Sequence, residues 1–181
     1  IASEGMVKKL LQQYPMLPLL ITSTTTTGRA QVKKSFGDSV YRAYVPYDLP
    51  GSVARFIATV KPIQCIIMET ELWPNIINGC AICNVPMVIA NARLSERSAR
   101  GYQRFAAITK PMLQKISCVA VQTEIEKQRF TNLGLPTERI DVCGSIKFDI
   151  SLTDKVTHQA AQWRDQWQLL YRPVWIAAST H

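Results

Sequence analysis

Short extended runs alternate with helical segments along this chain, and that alternation limits the fold more than any other feature. Strand-like runs fall at 19–24, 40–45, 65–69, 85–90, 117–122 and 140–146. Between them, helical spacing is expected up to about Phe36, over 50–59, from Trp73-Pro74 onward, and over 96–105, 107–115 and 123–133. A first helix is expected over 2–14, where Met6, Val7, Leu10 and Leu11 are apolar and Lys8, Lys9, Gln12 and Gln13 polar; Pro15 and Pro18 end it. Runs such as CIIM (65–68) are apolar throughout, which suits strands covered on both faces. The expected class is α/β: a Rossmann-like parallel sheet with helices on both faces and right-handed crossovers. Such folds normally supply a strand before the first helix, so the first strand is expected to be missing.

The character changes after Phe148-Asp149. Residues 153–170 read as a Gln-rich polar helix with Trp163 and Trp167 four apart, hence on one face. PVWIAA (173–178) then reads as a new strand. A strand alone is not stable. The expected organisation is a domain over 1–150, a connector helix over 151–172, and over 173–181 the first strand of a second domain whose remainder lies outside the chain. The chain opens on Ile1 with neither Met nor a signal-like start, which is read as the mark of a fragment or processed chain.

Composition narrows the function. The net charge of +8 points toward anionic partners such as phosphorylated substrates, anionic membrane faces or nucleic acid. Aromatic residues interleaved with Lys and Arg, as single-stranded nucleic acid would need, are not conspicuous, so no nucleic-acid partner is expected. No apolar run approaches the roughly 20 residues of a membrane span. Neither GxGxxG nor GxxxxGK[ST] occurs, so the simplest dinucleotide and nucleoside-triphosphate readings lack support. The five cysteines stand mostly in apolar runs and are expected to be reduced, buried thiols of a cytoplasmic protein. Cys80 and Cys83 have metal-pair spacing, but no second pair accompanies them and His158 and His181 are the only histidines; core packing is the expectation, with no metal.

Chemistry-bearing residues gather where strands end. In METELWPN (68–75), an apolar run meets Glu69 and Glu71, and ligands in open α/β sheets bind outside the carboxyl ends of strands. TSTTTTG (22–28) sits between a strand and a helix. Its hydroxyls, Thr25 and Thr27 among them, fit either phosphate or sugar binding or ordinary helix capping. Arg93, Arg97, Arg100 and Arg104 are spaced 4, 3 and 4, which gives either an anion-facing stripe or a solvated helix face. Ser95 is a good N-cap, so Arg93 is expected in the preceding loop, near a strand end, where it is the better ligand candidate. Lys147, after the last strand of the series, is placed to neutralise a phosphate leaving group or to pair with a nearby acid. Asp48 reads as a helix cap.

Taken together, YVPYDLP (44–50), METELWPN (68–75), VIANARLSERSARGY (88–102), GSIKFD (144–149) and PVWIAASTH (173–181) closely resemble the 3-deoxy-D-manno-octulosonic acid (Kdo) transferases of Gram-negative lipopolysaccharide biosynthesis, in order and spacing, across almost the whole chain. The resemblance implies a GT-B glycosyltransferase, of which this chain is most of the amino-terminal, acceptor-side domain. It implies metal-independent, inverting transfer of Kdo from CMP-Kdo to a lipid A precursor, on the cytoplasmic side of the inner membrane, by a parent protein that is peripheral or single-pass anchored. The family's supporting residues for the transition state map onto Glu69 and Lys147. Its general base, a Glu in a Ser-Val-Gly-Glu type segment, maps ahead of Ile1 and is not Glu4. Most CMP-binding residues belong to the second domain. Arg93, Arg97, Thr25, Thr27 and Glu71 are the candidate substrate contacts. The chain alone is expected to be inactive. The alternatives are another GT-B enzyme with a different nucleotide sugar, and a non-catalytic domain binding anionic lipid or nucleic acid.

Overall fold

The computed structural model describes residues 3–149, 154–168 and 175. The chain divides into two compact units, Ile1–Phe148 and Asp149–His181. In the first, helices α1 (Glu4–Gln13), α2 (Thr26–Phe36), α3 (Pro50–Val60), α4 (Pro74–Ile82), α5 (Glu96–Arg104), α6 (Ala106–Leu113) and α7 (Glu124–Asn132) alternate with strands β1 (Leu20–Ser23), β2 (Tyr41–Tyr44), β3 (Cys65–Met68), β4 (Met87–Ala92), β5 (Cys118–Val121) and β6 (Ile140–Val142). All pairings are parallel, as expected of an α/β chain.

The strands form two sheets rather than one. β3-β4-β5-β6 lie in sequence order, and β1 pairs with β2 separately. The difference follows the side chains. β4 and β5 carry Met87, Ile89, Ala92, Val119 and Val121, each no more than 1% exposed. β2 exposes Tyr41 and Tyr44, and Arg29 of α2 lies over the Tyr44 ring at 5.1 Å. The main core is built on the four-stranded sheet, with Ile77 of α4, Leu113 of α6, Phe130 of α7, and Val53 and Ile57 of α3 packed into it. Each fully buried Leu, Ile, Val or Phe is worth roughly 1.5–3 kcal/mol over leaving it in water, so this sheet is the rigid platform of the unit. α3 and α4 approach closely because Gly79 has no side chain: a Cβ there would lie 2.8 Å from both Val53 Cγ1 and Ile57 Cδ1.

Every strand differs from expectation at one or both ends, and three of these boundaries have a clear local reason. β3 stops at Met68 because Glu69 enters the left-handed region, at φ 61°. β4 begins at Met87, not Val85, because the Val85 N–H is taken by Cys80 O at 2.8 Å and Pro86 has no N–H to offer. β6 stops at Val142, where 140–146 was expected, because Gly144 turns at φ 75° and Ile146–Asp149 forms a 3-10 turn.

In the second unit, α8 (Asp154–Gln166) occupies much of the expected connector, and Trp163 and Trp167 stack with centroids 5.7 Å apart. The strand expected at 173–181 lies outside the described residues, Trp175 excepted.

Candidate functional site

The carboxyl ends of β3 and β4 form one wall system. After Met68 the backbone makes a left-handed step at Glu69, yet the Glu69 N–H still donates to Ala90 O at 2.8 Å. For a side chain such as Glu this conformation costs on the order of 1–2 kcal/mol. It persists because the next residue is clamped. The Thr70 hydroxyl accepts from Arg93 N–H at 2.9 Å and donates to Arg93 O. Glu71 is tied in turn, its carboxylate accepting from Trp73 Nε1 at 3.2 Å. The acids at this strand end thus stand on a loop fixed from both sides, the kind of over-determined strain that gathers at functional sites.

β4 carries a bulge. Ile89 pairs with Val119 but Ala92 with Val121, so three steps on β4 match two on β5. Asn91 is the residue that turns, at φ 55°. The extra residue shifts the inward alternation, so that Met87 and Ile89 face the core before it, and Ala92 and Leu94 after it. Asn91 is only 7% exposed, and its Oδ1 accepts from Ile146 N–H at 3.2 Å. That bond brings the segment bearing Lys147 to the β4 end. One residue before Asn91, Ala90 O holds Glu69. Glu69 and Ile146, the residue just before Lys147, are therefore tied to adjacent positions of one strand.

α5 begins as expected: Ser95 caps it, accepting from Ser98 N–H at 3.1 Å, and Arg93 lies in the loop before it. Arg93 and Arg97 are exposed, and among the described residues neither guanidinium has an ion-pair or hydrogen-bond partner. Arg100 pairs with Glu96 at 3.3 Å. An open cleft of about 430 Å3 lies among Glu69, Thr70, Glu71, Arg93, Leu94, Ser95, Ser98, Glu126 and Arg129. Of the sequence-predicted residues, the cleft thus gathers Glu69, Glu71 and Arg93. Arg97 lies on the exposed surface of α5, and Lys147 is exposed on its 3-10 turn, outside the cleft lining. Thr25, the cap of α2, and Thr27, in that helix, follow β1 of the other sheet. The Thr25 hydroxyl accepts from Gly28 N–H at 3.0 Å and so caps α2, and Thr27 is exposed in its first turn.

Glu126 and Arg129 enter the cleft from α7 and were not singled out from the sequence. A signal was present: Thr123 and Glu126, three apart behind an apolar strand, spell a capping box. Glu126 is 9% exposed, and its carboxylate accepts from Thr123 N–H at 3.0 Å, Gln122 N–H at 3.2 Å and the Thr123 hydroxyl at 3.1 Å. Arg129, one turn on, donates to Leu94 O at 2.8 Å and pins the α5 loop to α7.

Asp48 caps a helix, but not the one it precedes. Its carboxylate accepts from Ile76 N–H at 2.9 Å and Asn75 N–H at 3.2 Å, the first free amides of α4. Asn75 Nδ2 returns a bond to Asp48 O at 2.6 Å. α4 starts on Trp73-Pro74 and has no capping side chain of its own, so the YDLP turn supplies it and fixes where the METELWPN loop ends.

The cysteines correct an expectation. Cys80 is buried, Cys65 and Cys118 are half-buried, and Cys83 and Cys143 are exposed. Helix α4 ends at Cys83, which turns that thiol out, while Cys80 faces the sheet. There it lies beside the Cys65 thiol. The neighbouring Cys80 thiol and burial together push the Cys65 thiol well above its ordinary range.

The model of the family described as 3-deoxy-D-manno-octulosonic-acid transferase (kdotransferase) matches residues 1–150. The chain is 46% identical over all 181 residues to the 3-deoxy-D-manno-octulosonic acid transferase of Haemophilus influenzae, covering 42% of that protein. It is 33% identical to the transferase of the same name from Bordetella pertussis, with 99% of the chain matched to 41% of that protein. A bifunctional glycosyltransferase/methyltransferase of Fusobacterium nucleatum is 32% identical over 98% of the chain and 28% of its own length. The chain thus spans well under half of these relatives. Among solved structures, UDP-GlcNAc 2-epimerase from Neisseria meningitidis, bound to UDP-GlcNAc, superposes with a TM-score of 0.58 at 12% identity, over 91% of the chain and 50% of the epimerase. That likeness concerns the fold alone.

Proposed function

The chain belongs to the 3-deoxy-D-manno-octulosonic acid (Kdo) transferase family, and from that premise we propose that the full-length protein transfers Kdo from CMP-Kdo to a lipid A precursor, without a metal ion and with inversion at the anomeric carbon. An acceptor hydroxyl oxygen attacks the anomeric carbon as the bond to the CMP phosphate breaks. The hydroxyl proton goes to a general base, which the family resemblance puts on a Glu ahead of Ile1. CMP leaves with the bonding electrons. As the bond breaks, the anomeric centre gains positive charge and the phosphate negative charge. Glu69 opposes the first with its carboxylate, and Lys147 the second with its ammonium. Arg93 and Arg97, whose guanidinia have no partner among the described residues, suit the phosphates of the lipid acceptor.

The observation that carries this reading is Glu69 itself. It is an acid held in a costly left-handed backbone at a strand's carboxyl end, and the same strand-end bulge ties down the Lys147 segment. The +8 charge supports a working place on the anionic cytoplasmic leaflet of the inner membrane. No helix among the described residues is long and apolar enough to cross a membrane. Donor competition tests the proposal. With a lipid A precursor present, the full-length protein is expected to use CMP-Kdo and to ignore an equal concentration of UDP-sugars. Transfer from a UDP-sugar in preference to CMP-Kdo would refute it, and salt-sensitive lipid binding without any transfer would favour a binding module.

A further inference from the structure

We infer that Asn91 is a positioning residue for the transfer reaction: its side-chain amide sets where Lys147 stands relative to Glu69. The inference rests on the transferase reading above. Its geometry is independent of that reading: Asn91 ties the end of β4 to the residues that follow β5 and β6, and its neighbour Ala90 ties it to the residue that follows β3. Toward β3, its neighbour Ala90 accepts from Glu69 N–H at 2.8 Å. Toward β5, Asn91 O accepts from Gln122 Nε2 at 3.3 Å. Toward the segment after β6, Asn91 Oδ1 accepts from Ile146 N–H at 3.2 Å.

The last bond matters most for chemistry. The chain leaves β6 with Cys143 N–H on Val121 O at 2.9 Å, then turns at Gly144, φ 75°. Beyond that turn, the Asn91 bond is the tie from 144–149 to the sheet among the described residues. The remaining hydrogen bonds there are local: those of the 3-10 turn itself, and one from Lys147 N–H to Ser145 Oγ at 3.4 Å. Lys147 follows Ile146 directly, so its backbone is located through Asn91. The residue type fits two demands at once. Asn tolerates the left-handed backbone of the bulge better than most side chains, and it offers a short acceptor that is buried and satisfied. Aspartate meets both demands, and glycine meets only the first. A residue that merely shaped the bulge would need no acceptor.

The experiment uses the full-length protein carrying Asn91→Gly, Asn91→Asp, Lys147→Ala and the Asn91→Gly/Lys147→Ala pair. Asn91→Gly keeps the backbone and deletes the acceptor. We expect exchange of the Ile146 amide, followed by NMR, to quicken on the order of tenfold, with protection in β4 and β5 unchanged. With CMP-Kdo and a lipid A precursor, kcat is expected to fall by about 10²-fold, the scale of a misplacement near 1 Å, with little change in KM. Asn91→Asp is expected to restore both readouts. In the Lys147→Ala background, Asn91→Gly is expected to cost little more, because the two act as one unit. An Asn91→Gly enzyme with wild-type kcat, or one losing as much activity with Lys147 already removed, overturns the inference. If the wild type releases no CMP, the transferase reading falls and takes the inference with it, whereas a wild type that releases CMP beside an Asn91→Gly enzyme of equal kcat overturns the inference alone.

Discussion

Replacing Glu69 with glycine is expected to make the protein more stable and less active. A non-glycine residue at φ 61° carries a backbone cost of on the order of 1–2 kcal/mol, which glycine does not. Against that stands the greater freedom of glycine in the unfolded chain, roughly 0.4–1 kcal/mol. The Glu69 side chain is exposed and makes no hydrogen bond or ion pair among the described residues, so little packing is lost with it. The balance runs from about 0 to 1.6 kcal/mol and centres on a net gain of roughly 0.8 kcal/mol, or about 2–3 °C in Tm for a domain of this size. Lys61 is the control. It too is left-handed, at φ 48°, but at the C-cap of α3, outside the cleft. Lys61→Gly should raise stability similarly and leave activity unchanged, whereas Glu69→Gly should raise it while transfer collapses. Reversible denaturant unfolding of the full-length protein, with CMP release measured on the same samples, reads both quantities. A Glu69→Gly protein destabilised by about 1 kcal/mol or more would refute the claim that this acid is held against a backbone cost for its chemistry.

Three further outcomes follow from the geometry. Asp48→Ala should destabilise by about 1–2 kcal/mol, because two α4 amides lose their acceptor; urea melts check this, and Asp48→Asn should recover part of the loss. Gly79→Leu should destabilise by about 1–3 kcal/mol or more, since even a Cβ meets Val53 and Ile57 at 2.8 Å; a calorimetric Tm equal to wild type would contradict that packing. Burial raises the Tyr102 pKa above its ordinary value of 10.0. The folded state therefore keeps the proton longer than the unfolded one, and this contribution is intact below pH 10 and lost as pH rises through the folded-state pKa. Tyr102→Phe should flatten the alkaline decline in a stability–pH curve.

Periodicity and punctuation made the α/β class legible, because short apolar runs such as CIIM, half-buried as β3, suit sheet strands and Pro15, Pro46 and Pro50 mark breaks. Arg93 in a loop before a Ser95-capped helix was readable for the same local reason. What escaped was non-local or depended on φ. Nothing in VIANA announces a bulge at Asn91, since Asn also occurs at ordinary strand ends. Asp48 was legible as a cap, but its partner, α4, lies 27–28 residues away in sequence. The separation of β1–β2 from the main sheet reflects pairing that short strand-like runs do not specify. Glu126 and Arg129 reach the cleft only because β4 and β5 are neighbours.

The most direct test of the account is CMP release by the full-length protein from CMP-Kdo, with and without a lipid A precursor, comparing wild type with Glu69→Gln. The account predicts acceptor-dependent release that collapses in the variant while folding is retained. Acceptor-dependent release undiminished by Glu69→Gln would remove Glu69 from the chemistry, and no release from the wild type would contradict the proposed transfer itself.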